Sequence, residues 1–211
     1  MKPNIHSAYR PFLRFFRTRR MKHFEEQHCP RESTRILDVG GSAYNWTLIT
    51  THPQITFVNI IPPKENEKHL PWVIADARHL PFKNTAFDIL YSNSVIEHLG
   101  TLENQQAMAN ECIRVGQRLY IQTPNRYFFV EPHLITPFIH WLPRHWQRKL
   151  LRNFTTWGVI ARPSQAKCDH FLDEVHLLTL HDMYRLFPNI LIWKERFLVW
   201  TKSFTAIKLN E

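Results

Sequence analysis

Ile36-Leu37-Asp38-Val39-Gly40-Gly41 decides how the rest of the chain is read. A short apolar run that ends in a glycine pair predicts a buried strand followed by a tight turn. Glycine is scarce here, five in 211 residues, so two side by side are informative. Missing side chains allow a sharp strand-to-helix turn, close approach of a ligand to the backbone, and presentation of a helix N-terminus.

Working outward, the same rhythm recurs. Residues 56–61 form a second apolar run stopped by Pro62-Pro63, residues 72–76 a third, 87–92 a fourth, and 118–123 a fifth that stops at Pro124. Met108, Cys112 and Val115 recur at helical spacing between the fourth and fifth, with Gly116 as the stop. Strands alternating with helices predict an α/β fold: a mostly parallel seven-stranded sheet of Rossmann-like type, an antiparallel last strand, and helices on both faces. Thr179 with Asp182 predicts a capped helix that ends before Pro188. Residues 190–199 and 203–209 read as the closing strand pair, joined at 200–202.

The length predicts one domain spanning 1–211. Within it lie a basic helical arm (1–35), a cofactor-binding half (36–124), an aromatic and basic capping insertion (125–170), and a C-terminal helix and strand pair (171–211). The insertion holds Pro132, Pro137, Pro143 and Pro163, which permit only short helices between stops. Cys29, Cys112 and Cys168 are odd in number and far apart, which argues against a disulfide framework or a cysteine metal site. No apolar run reaches the ~18 residues of a membrane span, and Arg14 and Arg17 interrupt any signal-like core. A cytoplasmic protein is expected.

The net charge of +9 is unevenly placed: +6 over residues 1–35, −2 over 36–125, +5 over 126–162 and zero over 163–211. Two basic segments raise the local concentration of an anionic partner. Arg126, Arg144, Arg148, Lys149 and Arg152 among Phe, Trp and Tyr suit an acceptor that joins an anion to apolar parts, whether in solution or peripherally at a membrane surface. On a helical wheel Arg20 falls between Leu13 and Phe24, so the arm reads as a helix packed on the domain and not as a free amphipathic helix.

In such a sheet a ligand binds beyond the carboxyl ends of the strands. Asp38, Asn59 and Asp76 end three successive strands, and Ser92-Asn93-Ser94 ends the fourth before Glu97-His98. Their polar groups face one crevice. Asn59 can bond ribose hydroxyls and Asp76 an exocyclic amine.

Ile36-Leu37-Asp38-Val39-Gly40-Gly41, Ala75-Asp76-Ala77 with Leu80-Pro81-Phe82, and Phe87-Asp88-Ile89-Leu90-Tyr91-Ser92-Asn93-Ser94 with Glu97-His98-Leu99 resemble, in order, the motifs of class I S-adenosylmethionine-dependent methyltransferases of the type 11 group. The resemblance implies S-adenosylmethionine as cofactor. It implies that Asp38, Gly40 and Gly41 meet its methionine part, Asn59 with Ile60 its ribose, and Asp76 with Ala77 its adenine, with Asn93 lining the methionine side. Ser42 and Tyr44 stand where the family usually has glycine, and Asn59 where it has Asp or Glu. The activity implied is methylation, expected on an oxygen of a small molecule or of a surface-glycan or lipid-linked sugar. The alternatives are a cofactor-binding or basic interaction module without turnover, and an RNA methyltransferase. Against nucleic acid, residues 93–96 lack the Pro-Pro-aromatic motif that DNA amino-methyltransferases show after the fourth strand.

Proton removal from a hydroxyl needs a base whose pKa lies near 7. His98, beside the methyl site, and His133, which opens the aromatic insertion, are the candidates. No metal is expected, since Asp169, His170, Asp173, Glu174 and His176 have no standard ligand spacing.

Overall fold

The computed structural model describes residues 5–209, with side chains from Arg14 onward. The first four residues of the expected arm and the last two of the chain lie outside it. Seven strands form one sheet: β1 (Arg35–Val39), β2 (Gln54–Asn59), β3 (Trp72–Ile74), β4 (Phe87–Asn93), β5 (Gly116–Pro124), β8 (Leu191–Phe197) and β9 (Trp200–Lys208). Their order is β3-β2-β1-β4-β5-β9-β8. The first five pair in parallel, and β9 runs antiparallel to both β5 and β8. β6 (Val130–Glu131) and β7 (Thr136–Pro137) form a separate small hairpin.

The pleat sorts the core into two layers because successive side chains point to opposite faces. Leu37, Val39, Leu90, Leu119 and Ile121 face α2 (Leu102–Val115) and α6 (Leu180–Leu186), whose Met108, Cys112, Met183 and Leu186 are buried against them. Ile36, Ile89, Tyr91 and Tyr120 face α1 (Ile5–His28), which buries Met21 and Phe24. Full burial of a side chain such as Phe24 is worth about 1.5–3 kcal/mol. The hydroxyl and carboxylate of Thr179 and Asp182 cap α6 reciprocally.

Three details differ from the sequence reading. The glycine turn after β1 does not lead into an α-helix. Residues 43–48 form a 3-10 turn, and only another short 3-10 turn, 65–67, joins β2 to β3. The β-branched Thr47, Thr50 and Thr51 followed by Pro53 favour no longer helix there. α1 instead covers that face, and Glu25 fixes the contact by accepting the Thr50 and Thr51 backbone N–H groups at 2.9 and 3.0 Å. Likewise, residues 96–99 after β4 form a 3-10 turn, and α2 begins only after the Thr101 cap. Finally, the last hairpin turns at Leu198-Val199, so residues 200–202 belong to β9.

In the insertion, α3 (Arg144–Phe154), α4 (Thr156–Ala161) and α5 (Gln165–Glu174) are short, with Pro143 ahead of α3 and Pro163 between α4 and α5. Leu134, Ile139, Leu151 and Cys168 give this segment a small core of its own.

Candidate active site

The glycine turn has little room for anything but glycine. Gly40 has φ +74°, and a Cβ there would lie 2.5 Å from Val95 Cγ2. A Cβ on Gly41 would lie 2.0 Å from Asp38 Oδ2. Asp38 is fully buried: the Trp46 indole N–H donates to Oδ2 at 2.8 Å, while Oδ1 has no partner. Burial pushes this carboxyl up to about 7, against the opposing effect of the Trp46 bond. An orphaned buried acceptor at the mouth of a glycine turn is suited to a ligand that brings positive charge or N–H donors.

The next strand ends give the crevice its second wall. Asn59 is half-buried at the end of β2, and its carbonyl accepts Ala75 N–H at 3.0 Å. Beyond it Ile60 and Ile74 are 71% and 61% exposed, an apolar surface at the strand ends on which a flat base could rest. Ala77 is buried, while the Asp76 carboxylate is engaged: Arg78 donates to it through its backbone N–H at 2.9 Å and through Nε and Nη2 at 3.0 and 2.6 Å. These bonds hold Asp76 below its ordinary range. An amine donor reaching Asp76 must share it with Arg78. Glu67, which sequence reasoning did not single out, ties the segment after β2 to the glycine turn by accepting Ala43 N–H at 3.1 Å.

Asn93, at the end of β4, does not stand alone. Arg20 from α1 donates to its Oδ1, to Gln122 Oε1 at 3.0 Å and to Glu195 Oε2 at 3.0 Å. Arg20 is only 5% exposed, and Glu195 is completely buried. The wheel position of Arg20 between apolar residues therefore marks a residue directed inward. Nothing in its sequence neighbourhood reveals its partners, which lie 73 to 175 positions away.

On the opposite side of β5, the two candidate histidines meet. The rings of His98 and His133 are 4.8 Å apart, edge to face. His133 Nδ1 is 2.7 Å from Glu131 Oε1, and its Nε2 is 4.0 Å from Glu97 Oε1. His98 Nδ1 is 3.3 Å from Glu174 Oε1. Glu97 is fully buried; its Oε2 accepts the Thr123 hydroxyl at 3.0 Å and its Oε1 has no hydrogen bond. Burial raises the Glu97 pKa, with the two histidines opposing. Burial also pulls His133 down, but the Glu131 hydrogen bond and the charges of Glu131, Glu97 and Glu174 more than offset it, so His133 rises. The result is an imidazole held between two carboxylates, with its tautomer set by Glu131.

Glu97, His98 and His133 each offer a ligand atom, all within 4.8 Å of one another. Two ligands at about 2.1 Å from one ion are at most about 4.2 Å apart, so small side-chain rotations would let these three hold a metal ion, a cluster the sequence reading did not single out. The acidic and histidine residues near 170 are dispersed into separate pairs: Asp169 with Arg148 at 2.7 Å, Asp173 with Arg144, and Glu174 with His170 at 3.4 Å. Two of the five basic residues expected to face an anion, Arg144 and Arg148, are thus already paired.

Residues 44–118 match the family model described as "Methyltransferase domain". The match runs from just after the glycine turn to the start of β5. No curated protein sequence matches the chain. Among solved structures, a SAM-dependent methyltransferase from Methanosarcina mazei aligns at TM-score 0.51 and 13% identity over 86% of this chain and 95% of its own. A chain from the complex of the Haloferax volcanii Trm112 methyltransferase activator with a methyltransferase aligns at 0.56 and 10% over 96% and 94%. A Rhodobacter sphaeroides protein titled as a Zn-dependent alcohol dehydrogenase aligns at 0.58 and 10% over 89% and 87%. Identities this low speak to the fold alone. Two other matched structures are longer, and the chain spans 46% and 45% of them. Residues 44–118 thus resemble a methyltransferase domain, and the chain as a whole shares the fold of solved S-adenosylmethionine-dependent methyltransferases.

Proposed function

We propose that the protein transfers a methyl group from S-adenosylmethionine to a hydroxyl oxygen of an anionic small molecule or glycan sugar. The observation that carries this reading is His133, fixed by Glu131 and facing the buried Glu97 at the ends of β4 and β5.

The crevice residues fit the cofactor. A Cβ at Gly40 or Gly41 would strike Val95 or Asp38, so the turn keeps its backbone bare, and the orphaned Asp38 Oδ1 awaits a donor. Asn59 would take the ribose, Ile60 and Ala77 the faces of the base, and Asp76 its amine in competition with Arg78. Bound there, S-adenosylmethionine would supply an electrophilic methyl group whose bond to the sulfonium sulfur breaks in the transfer, leaving S-adenosylhomocysteine. His133 Nε2 takes the proton that the acceptor hydroxyl loses as its oxygen–methyl bond forms. Glu131 and Glu97 stabilise the imidazolium that results. His98, packed edge-on and held by Glu174, restricts the His133 ring. Asn93, anchored by Arg20, lines the wall between cofactor and acceptor. Among the described residues no helix is long and apolar enough to cross a membrane. A peripheral contact through the basic segments remains part of the proposal.

The test uses radiolabelled S-adenosylmethionine with a panel of sugars and sugar phosphates. His133→Asn should lower transfer by about 100-fold or more while leaving the affinity for S-adenosylhomocysteine unchanged by calorimetry. Undiminished transfer in that variant would remove His133 from the reaction.

A further inference from the structure

A small cavity of about 90 Å³ lies between α1 and the ends of β4, β5 and β9. It has room for roughly three water molecules at ~30 Å³ each, hence for one charged group and not for a whole acceptor. Arg17, Arg20 and Lys202 line it, together with Asn93, Ser94 and Gln122, and no carboxylate does. Its apolar side is closed by Phe16 and Phe128.

Among the described residues the nearby carboxylate, Glu195, lies behind this lining. It is completely buried, 3.0 Å from Arg20 Nη2 and 3.7 Å from Lys202 Nζ, and it also accepts the Ser203 hydroxyl at 2.7 Å. Arg20 and Lys202 therefore share one carboxylate while Arg17 lines the same cavity, which leaves a surplus of two positive charges. Burial and the neighbouring Arg20 pull the Lys202 ammonium down to about 8 in spite of Glu195, as expected of a cation whose charge is incompletely neutralised. Arg20 Nε is buried without a hydrogen-bond partner. Arg17 makes no ion pair among the described residues and stands 5.5 Å over the Tyr44 ring. An ordinary structural ion pair requires one cation for Glu195. Among the described residues the second, Lys202, has beside the shared Glu195 only the Phe16 ring at 4.4 Å, and the third, the half-buried Arg17, only the Tyr44 ring, so folding alone does not account for them.

Resting on the methyltransferase reading above, we infer that this cavity is a subsite for a phosphate monoester carried by the acceptor, with Arg17, Arg20 and Lys202 as its ligands. A phosphate monoester carries about −1.5 to −2 at pH 7 and offers three acceptor oxygens, which matches the surplus and the available donors. A carboxylate would cancel only half of it. The position fits as well: Arg20 bonds Asn93, so the anchored phosphate sits beside the end of β4, next to the cofactor crevice. The acceptor's phosphate would then orient its hydroxyl toward His133 across the end of β5.

Calorimetry with glycerol 3-phosphate on protein saturated with S-adenosylhomocysteine tests this. The wild type should bind it, Lys202→Met and Arg17→Gln should each weaken it by about tenfold or more, and Lys83→Gln, exposed ahead of β4, should leave it unchanged. Vesicles of phosphatidylcholine with phosphatidic acid form the second arm. Binding that Lys202→Met abolishes there would put the phosphate on a lipid, whereas binding of the soluble ester alone would put it on a soluble acceptor. Equal affinity in Lys202→Met, Arg17→Gln and wild type, or no phosphate binding by protein that holds S-adenosylhomocysteine, overturns the subsite. If Lys202→Met weakens S-adenosylhomocysteine as much as phosphate, the cations serve the cofactor's carboxylate instead and the inference also fails. Failure to bind S-adenosylhomocysteine at all would strike the methyltransferase reading itself, so the two failures are distinct.

Discussion

Replacing Asp38 by Asn should make the cofactor-free protein progressively more stable relative to the wild type as pH rises. Folding moves this carboxyl from its ordinary value near 3.8 to about 7 because burial disfavours its charged form. A carboxyl whose pKa is raised on folding binds more protons in the folded than in the unfolded state between those values, so stability falls as pH rises through that window. Once pH exceeds 7 the full penalty is about 4 kcal/mol, of which about 1.5 kcal/mol is already present at pH 5. Asparagine carries no such penalty and keeps an oxygen for the Trp46 N–H. Its amide nitrogen replaces Oδ1, which has no partner now, so a constant cost of about 1–3 kcal/mol enters at every pH. The pH-dependent part is therefore diagnostic. Urea unfolding followed by tryptophan fluorescence at pH 5 and pH 8 should show the variant gaining about 3 kcal/mol on the wild type between the two. A difference that does not change with pH would mean that Asp38 titrates normally and that the glycine turn does not hold a destabilised carboxyl in readiness for a ligand.

Two other substitutions probe the same geometry. Glu195→Gln leaves Arg20 buried without its counter-ion and should cost about 3–5 kcal/mol in urea unfolding; a loss below about 1 kcal/mol would show that Asn93 and Gln122 alone satisfy Arg20. Asn59→Asp puts a charged acceptor at the end of β2 and should tighten S-adenosylhomocysteine binding several-fold by calorimetry, whereas looser binding would move the ribose away from β2.

The sheet was legible in the sequence because its strands are local apolar runs, several of them bounded by Gly or Pro, and local patterns need no knowledge of partners. The Thr179–Asp182 cap was legible for the same reason: its two members are three residues apart and bond to each other. The crossovers were less so. A glycine pair after a strand predicts a turn into a helix, but Thr50, Thr51 and Pro53 cut short the segment after that turn, and α1 covers the face left open. The histidine pair could be named from its setting, His98 after the fourth strand and His133 at the start of the insertion. No spacing could show that Glu97 Oε1 lies 4.0 Å from His133 Nε2, or that Asp76 is occupied by Arg78. The basic arm was legible as charge and illegible as function: the arginines of a helix look alike until one of them is seen inside the protein. Arg20 bonds Asn93, Gln122 and Glu195, and those three partners come from three different strands.

That arrangement bears on the role of the arm. Adjacent residues of β5 point to opposite sides of the sheet, so Gln122 meets Arg20 under α1 while Thr123 meets Glu97 on the other side. The end of one strand thus joins two electrostatic environments of opposite sign: a cationic cavity on the α1 side and a carboxylate–histidine cluster on the insertion side. Placed on the same side they would neutralise each other as ion pairs, leaving neither an anion site nor a base. The pleat separates them by the width of the sheet while leaving both within reach of one bound molecule at the strand ends. α1 supplies two of the three cations on its side, and Glu131 and His133 from the insertion complete the other. On this reading the segments before and after the cofactor-binding half are the two halves of the acceptor site, and residues 44–118, where the family match lies, supply chiefly the cofactor crevice between them.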